Sequence, residues 1–427
     1  MSQPQPASQA EAPKKPRRRN KNAPILVAPP SSIEYQNFGF DIEFRDLKSK
    51  ARIGKLKTPH GTIETPNYIF CGTKGAMKNL SMPQMREAKA DIILGNTYHL
   101  MIQPGADLVE KMGGLHQFNR WDGPMMTDSG GFQIFSMGHG SVADEIKGRG
   151  KNREKSLLKI TEEGAKFRSY FDGRELTLTP ESSIQIQRQL GADLIYQLDE
   201  CTAFHNDRAY TEKSMHRSHR WGDRSLAEFD RTHDGRQALY GIVQGGVYLD
   251  LRRESCAWTR DRPFFGTAIG GSLGGSQEQF HEIVQLHSEL IHPERPVHLL
   301  GIGKIIDVFT CVRMGIDTFD CVSPTRIARH GWALMRGNPE ERINLRNAKY
   351  RDDSTPLDET MDLPASTQYS KAYLHHLFKV QEMLALQIVA QHNVAVITRL
   401  MREVRAAIRA GSLDQLQKEW LPEPELA

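Results

Sequence analysis

Three aspartates, a glutamine and a series of glycines stand just after short apolar runs. The clusters are Gly95-Asn96-Thr97-Tyr98-His99, Asp128-Ser129-Gly130-Gly131, Asp199-Glu200, Gln244-Gly245-Gly246, Gly270-Gly271, Gly301-Ile302-Gly303-Lys304 and Asp320. Carboxylates serve as nucleophiles or move protons, and glycine lets backbone approach a ligand closely. A lone aspartate after a strand is more often a helix cap. Three of them, with Gln244 and the Gly-Gly pairs at successive run ends, point to a site. Taken alone, His99 reads as a packed, hydrogen-bonded core histidine. Cys201 has no evident base partner and reads as pocket lining rather than a nucleophile.

The elements that must position these residues follow a repeating grammar of short apolar runs leading into helical periodicity. Eight runs stand out: Pro66–Phe70, Asp91–Leu94, Pro124–Met126, Asp193–Leu198, Ala238–Val243, Phe264–Ile269, Val297–Leu300 and Asp317–Phe319. Strand–helix alternation predicts an α/β fold with parallel strands. Eight strands predict a closed (β/α)8 TIM barrel, with a doubly wound open sheet as the alternative. Barrel sites form at the C-terminal strand ends, where these polar clusters fall. The expected organisation is a disordered basic tail (1–32), a catalytic barrel with an N-terminal β extension (33–335), and a loop and helical subdomain packed on the barrel (336–420). A loop-rich section, Gly337–Thr367, should precede helices from Ser370 to about Leu416, broken near Asn393 and Gly411. Tyr373, Leu374, Leu377, Phe378, Val380, Met383, Leu384 and Leu386 should pack against the barrel.

Composition sets limits. With 38% hydrophobic and 25% charged residues the balance is that of a soluble globular protein, and a net charge of +4 neither requires nor excludes nucleic acid. No apolar stretch approaches the roughly eighteen residues of a membrane span, and no apolar core of a secretory signal follows the N-terminus. The five cysteines have no CxxC spacing, which predicts reduced thiols inside the cell. A cytoplasmic location is expected. The run Lys14-Lys15-Pro16-Arg17-Arg18-Arg19-Asn20-Lys21 leaves a nuclear or mitochondrial address, or an RNA-tethering arm, open.

Four ordered motifs resemble the tRNA-guanine transglycosylase (queuine tRNA-ribosyltransferase) family: Gly95-Asn96-Thr97-Tyr98-His99-Leu100, Thr127-Asp128-Ser129-Gly130-Gly131-Phe132-Gln133, Val243-Gln244-Gly245-Gly246, and Phe319-Asp320-Cys321-Val322-Ser323-Pro324-Thr325-Arg326. The resemblance runs from about residue 50 to about 410. The insertion around Ser141 to Lys159 and the segment Ala268–Gly274 are similar to the chlamydial, queuine-using branch. The resemblance implies exchange of guanine 34 in tRNAs with G-U anticodons for a 7-deazaguanine, through a covalent tRNA intermediate and without ATP or metal. It makes Asp320 the nucleophile and Asp128 the proton donor and acceptor. Asp199 would read the base's amine and N1–H, and Gln244 and the Gly271 N–H its O6. Ser129, Gly130 and Gly131 would line the pocket, with Phe132 stacked on the base. Gly301, Ile302, Gly303, Lys304, Ile305, Ile306 and Asp307, with Thr325, Arg326, Ile327, Ala328 and Arg329, match segments that contact the anticodon loop.

Two loop positions favour queuine over the smaller preQ1. Gly274 replaces a valine and would open room for queuine's ring, and Ser276 replaces a glutamate. One family feature is missing. The cysteine positions of the family's structural zinc site fall on Met361, Leu363 and Ser366, leaving His392 alone of the ligand set, so no zinc and no other cofactor is expected. The partners implied are tRNA, a 7-deazaguanine base and a second copy of the chain, or a homologue in a heterodimer. The rival reading is a non-catalytic tRNA- or partner-binding subunit. The intact set of Asp128, Asp199, Gln244 and Asp320 argues against it. The match around Asp320 likewise argues against relatives that modify DNA or make archaeosine precursors.

Overall fold

Eight parallel strands close into a barrel in the computed structural model of the chain, which describes residues 33–138, 157–204 and 206–423. The basic tail and positions 141–156 of the expected insertion lie outside the described residues. The barrel strands are Asn67–Gly72, Ile93–Gly95, Met125–Thr127, Leu194–Tyr196, Ala238–Val243, Gly266–Ile269, Val297–Leu299 and Thr318–Cys321. The last pairs with the first, Thr318 opposite Asn67 and Cys321 opposite Phe70, so the ring has no edge. Each strand falls within or overlaps one of the eight apolar runs, and the open-sheet alternative is excluded.

The runs are apolar throughout because both faces are covered; every residue of Ala238–Val243, for instance, is buried. Alternate residues Ile69, Leu94, Met126, Leu194, Tyr196, Ala238, Tyr240, Ile242 and Ala268 form one buried cluster that fills the barrel. Their neighbours pack against the surrounding helices in a second, larger cluster.

The N-terminal mouth is closed by an antiparallel sheet of Gly39–Arg45, Arg52–Thr58 and Gly61–Thr65. Its anchors are ionic. Arg52 meets Asp317 in a buried fork at 2.9 and 2.6 Å, and Asp317 also accepts from the Val297 N–H at 2.7 Å. His60, stacked on His116 with ring centroids 3.6 Å apart, lies 2.7 Å from Asp193. Asp193 and Asp317 begin two of the apolar runs but sit before their strands, at the end away from the expected site. They fasten the floor.

Beyond the barrel, the helices are Lys371–Lys379, Met383–Ala410 and Leu413–Trp420. The long helix docks on the barrel; Arg405 donates to the Pro66 carbonyl at 2.8 Å and Gln391 to Glu87 at 2.7 Å. The structure corrects two expectations here. The helix runs unbroken through Asn393, whose buried amide accepts from the Leu334 N–H (2.8 Å) and donates to the carbonyls of Pro324 (2.9 Å) and Trp332 (3.0 Å). A polar residue that suggested a break is spent instead on the backbone of helix Ser323–Ala328 and strand Trp332–Leu334 beside it. The break comes at Val380–Glu382, where Gln381 has φ 63°. For that reason Leu374, Leu377 and Phe378 are buried, whereas Tyr373, Val380, Met383 and Leu384 are exposed. Gly411 does end the helix, in the left-handed region.

If Asn393 serves those two elements, Asn393→Leu loses about 3 kcal/mol in urea denaturation, since it orphans two buried backbone groups and a part-buried one. A residue that merely interrupted the helix would instead gain about 0.5 kcal/mol from leucine's higher propensity.

Candidate active site

The C-terminal strand ends surround a cavity of about 420 Å³ whose walls include Asp128, Asp199 and Asp320. Asp320 is the third residue of its strand, and Asp128 and Gln244 each follow directly on theirs. The barrel therefore brings together residues almost two hundred positions apart in sequence.

Asp128 accepts from the Thr97 N–H at 2.7 Å, from the Asn96 amide, and from the Gln133 side chain. Asn96 divides its amide. Its oxygen caps helix Thr97–Ile102 through the His99 N–H, and its nitrogen is left for Asp128. Burial pushes the Asp128 carboxyl up to about 7 against these donors, with the nearby Asp320 charge acting in the same direction. Asp320 has a different setting. It accepts from the Gly301 N–H (3.1 Å), from His298 Nε2 (3.1 Å) and from the Cys71 thiol (3.4 Å). Thr318 Oγ1 lies 2.9 Å from His298 Nδ1. The hydroxyl then donates to Nδ1, and the tautomer assigned by this network carries its proton on Nε2, facing the carboxylate.

Asp199 accepts from Ser129 Oγ at 3.2 Å and Gln244 Nε2 at 2.5 Å, and burial pushes it up to about 6. Gly130 holds φ 82°, and a Cβ on Gly131 would stand 2.6 Å from the Asp199 carbonyl, so this turn requires glycine. Phe132, 53% exposed, presents a ring on the cavity wall, with Tyr196, Ile242 and Leu300 supplying further apolar lining. Gly271 lines the cavity as well.

Other residues fall where the sequence did not put them. Gly274 does not line the cavity; its φ is 108°, and an added Cβ would meet Gln279 Oε1 at 2.6 Å. The glycine serves the conformation of its own loop. Ser276 caps helix Gln277–Leu290 through the Gln279 N–H. Of the expected RNA contacts, Ile305, Asp307, Thr325 and Ala328 are buried, and Asp307 is engaged by Gln277 at 2.6 Å. Their side chains face the protein because these segments continue into helices Ile305–Arg313 and Ser323–Ala328. Gly301, Lys304 and Arg326 are exposed, and Ile302, Gly303, Ile306, Ile327 and Arg329 half-buried. Arg326 also reaches the cavity wall. His99 lines the cavity, bonded to Tyr170 at 3.0 Å and pulled down to about 4 by burial. Burial pushes the Cys201 thiol on the same wall up to about 12, which leaves it inert.

Sequence reasoning missed Gln133, His298 and Leu300. Gln133 stood inside a quoted motif. His298 was the one polar residue of an apolar run, two positions before Leu300 and so on the same strand face; that was an available signal. Leu300 carried none.

Zinc does not fit the four positions aligned with a metal site. Met361 and Leu363 are packed in the core, and Ser366 Oγ lies 2.9 Å from His392 Nδ1. His392 Nε2 donates to the Leu334 carbonyl at 2.7 Å, so both ring nitrogens are engaged and burial holds the ring neutral. A Ser–His hydrogen bond inside an apolar shell joins the segments a metal would join.

A family model described as Queuine tRNA-ribosyltransferase matches residues 46–425. A Queuine tRNA-ribosyltransferase of Roseiflexus sp. is 48% identical over 394 residues, covering 90% of this chain and 98% of the relative. Proteins of the same name are similar at 44% identity in Caulobacter vibrioides (90% and 97% covered) and at 43% in Chlamydia pneumoniae (86% and 98%).

Three measurements follow from this geometry. Asp128 and Asp199 both titrate above their ordinary value of 3.8, so folding favours their protonated forms. The stability they contribute is complete below about pH 4 and is lost as pH rises through 6 and 7. Asp128→Asn therefore gains on the wild type by at least about 1 kcal/mol between pH 4 and pH 8 in chemical denaturation; a difference that stays flat with pH contradicts the assignment. Protein purified without a histidine tag carries substoichiometric zinc by elemental analysis. Ser366→Ala costs about 1–2 kcal/mol by leaving His392 Nδ1 without a partner.

Proposed function

The chain belongs to the queuine tRNA-ribosyltransferase family of tRNA-modifying pentosyltransferases, and on that premise we propose that it exchanges guanine 34 of tRNAs with G-U anticodons for queuine by double displacement at the ribose C1′. The observation that carries the reading is the facing of Asp128, Asp199 and Asp320 on one cavity, each with its own set of donors.

Asp320 is the nucleophile. Its carboxylate oxygen attacks C1′ as the C1′–N9 bond breaks, and the electron pair leaves with the guanine. Asp128, whose pKa near 7 suits both directions of transfer, gives the departing base its proton. The incoming base loses its N9 proton to Asp128, and N9 attacks C1′ and displaces Asp320. Two inversions retain the configuration. His298 and the Gly301 N–H orient the attacking carboxylate. Asp199 accepts from the amine and N1–H of the base, with Gln244 and the Gly271 backbone on its O6 side and Phe132 against its face. Ionised Asp199 is the form that reads the base, so base affinity falls as pH drops below about 6.

The tRNA lies over the mouth, with its phosphates near Lys304, Arg326 and Arg329. Queuine is favoured because Ser276, spent on a helix cap, offers no second carboxylate beside the base. The working unit is a homodimer.

Labelled guanine displaced from such a tRNA, with queuine or preQ1 offered, tests this directly. Wild type releases guanine with queuine, and Asp320→Asn is slower by about a thousandfold or more. Release with preQ1 alone overturns the base preference and leaves the reaction standing. Equal activity of Asp320→Asn overturns the mechanism.

A further inference from the structure

Behind the base pocket lies a buried charge that takes no part in the displacement. Arg252, on helix Leu249–Arg260, has no exposed surface. Its guanidinium donates from Nε to the Gly246 carbonyl (2.7 Å), from Nη1 to those of Val243 (3.3 Å) and Gly270 (2.8 Å), and from Nη2 to that of Ser272 (3.0 Å). No carboxylate pairs with it among the described residues, and burial pulls it down to about 10. A cation is expensive in such a place, and here backbone dipoles alone satisfy it.

Those four carbonyls belong to two loops. Val243 and Gly246 flank Gln244, and Gly270 and Ser272 flank Gly271. The loops already touch: a Cβ on Gly271 would stand 2.5 Å from Gln244 Oε1 and 3.3 Å from Arg252 Nη2, with φ 76° at Gly271. A planar fork of five donors spans both loops at fixed separation, which the single ammonium of a lysine cannot do.

We infer that Arg252 is a positioning residue that sets the distance between the Gln244 amide and the Gly271 backbone, and with it affinity for the base rather than the rate of displacement. The inference rests on reading this cavity as the base pocket. Asp320 and its donors, Gly301 and His298, make none of these contacts, so the nucleophile is untouched by a change at Arg252.

The test is incorporation of labelled guanine into tRNA by the full chain, with base and tRNA varied in turn, for wild type, Arg252→Lys and Arg252→Met. The expected result for Arg252→Lys is a KM for guanine about tenfold higher or more, from the lost charged hydrogen bonds. Its kcat and tRNA KM stay within about threefold of wild type, and Arg252→Met is worse in the same parameter. A guanine KM unchanged in both variants overturns the inference. So does a joint fall in kcat, both affinities and melting temperature in Arg252→Lys, or its failure to fold; either makes Arg252 a general structural brace. Wild type that exchanges no guanine fails the proposed function itself, and the inference falls with it.

Discussion

A carboxylate at the end of a buried strand is costly to keep ionised, and the organisation of the barrel mouth follows from how that cost is met. Among the described residues, no arginine or lysine pairs with any of the three aspartates there. Asp320 has a backbone N–H, an imidazole and a thiol; Asp128 has a backbone N–H and two amides; Asp199 has a hydroxyl and an amide. Neutral donors hold each carboxylate without fixing its charge. Two of them accordingly titrate near 6 and 7, where proton transfer in either direction is easiest. Groups with separated environments can then divide the work of one reaction.

The opposite mouth solves the same problem in the opposite way. Asp317 meets Arg52 in a fork, and Asp193 meets His60. There a full ion pair pins Asp317, and the imidazoles of His60 and His116 hold the Asp193 carboxyl below its usual range against its own burial. The division agrees with the rule that the C-terminal face of such a barrel carries chemistry and the N-terminal face stability. The helical segment beyond the barrel is joined by a neutral pair, since Ser366 and His392 link their two segments by a hydrogen bond.

What the sequence made legible depended on whether a residue's role is local. The strands were readable because a barrel buries both faces of each and leaves short, wholly apolar runs. Asp128, Asp199, Gln244 and Asp320 were readable because each directly follows such a run. Asp193 and Asp317 sit in runs of the same appearance, and only the direction of the chain separates them from the site. Residues whose partners are distant backbone groups were opaque. Asn393 looked like a helix break and Arg252 like any helical arginine, because the carbonyls they serve arrive only with the fold. Gly274 stands apart from the cavity wall, and its own φ and the nearness of Gln279 are what the fold shows to require a glycine there. Ile305, Asp307, Thr325 and Ala328 fell in segments expected to meet RNA, but helical periodicity turns their side chains inward.

Burial, unrelieved by any cation among the described residues, poises Asp128 for proton transfer in both directions. The most direct measurement is the titration of its carboxyl by carbon NMR on protein labelled at aspartate, with Asp128→Asn identifying the resonance. A midpoint near 7 is expected in the free protein. A midpoint near 4, the ordinary range for an exposed aspartate, would contradict it.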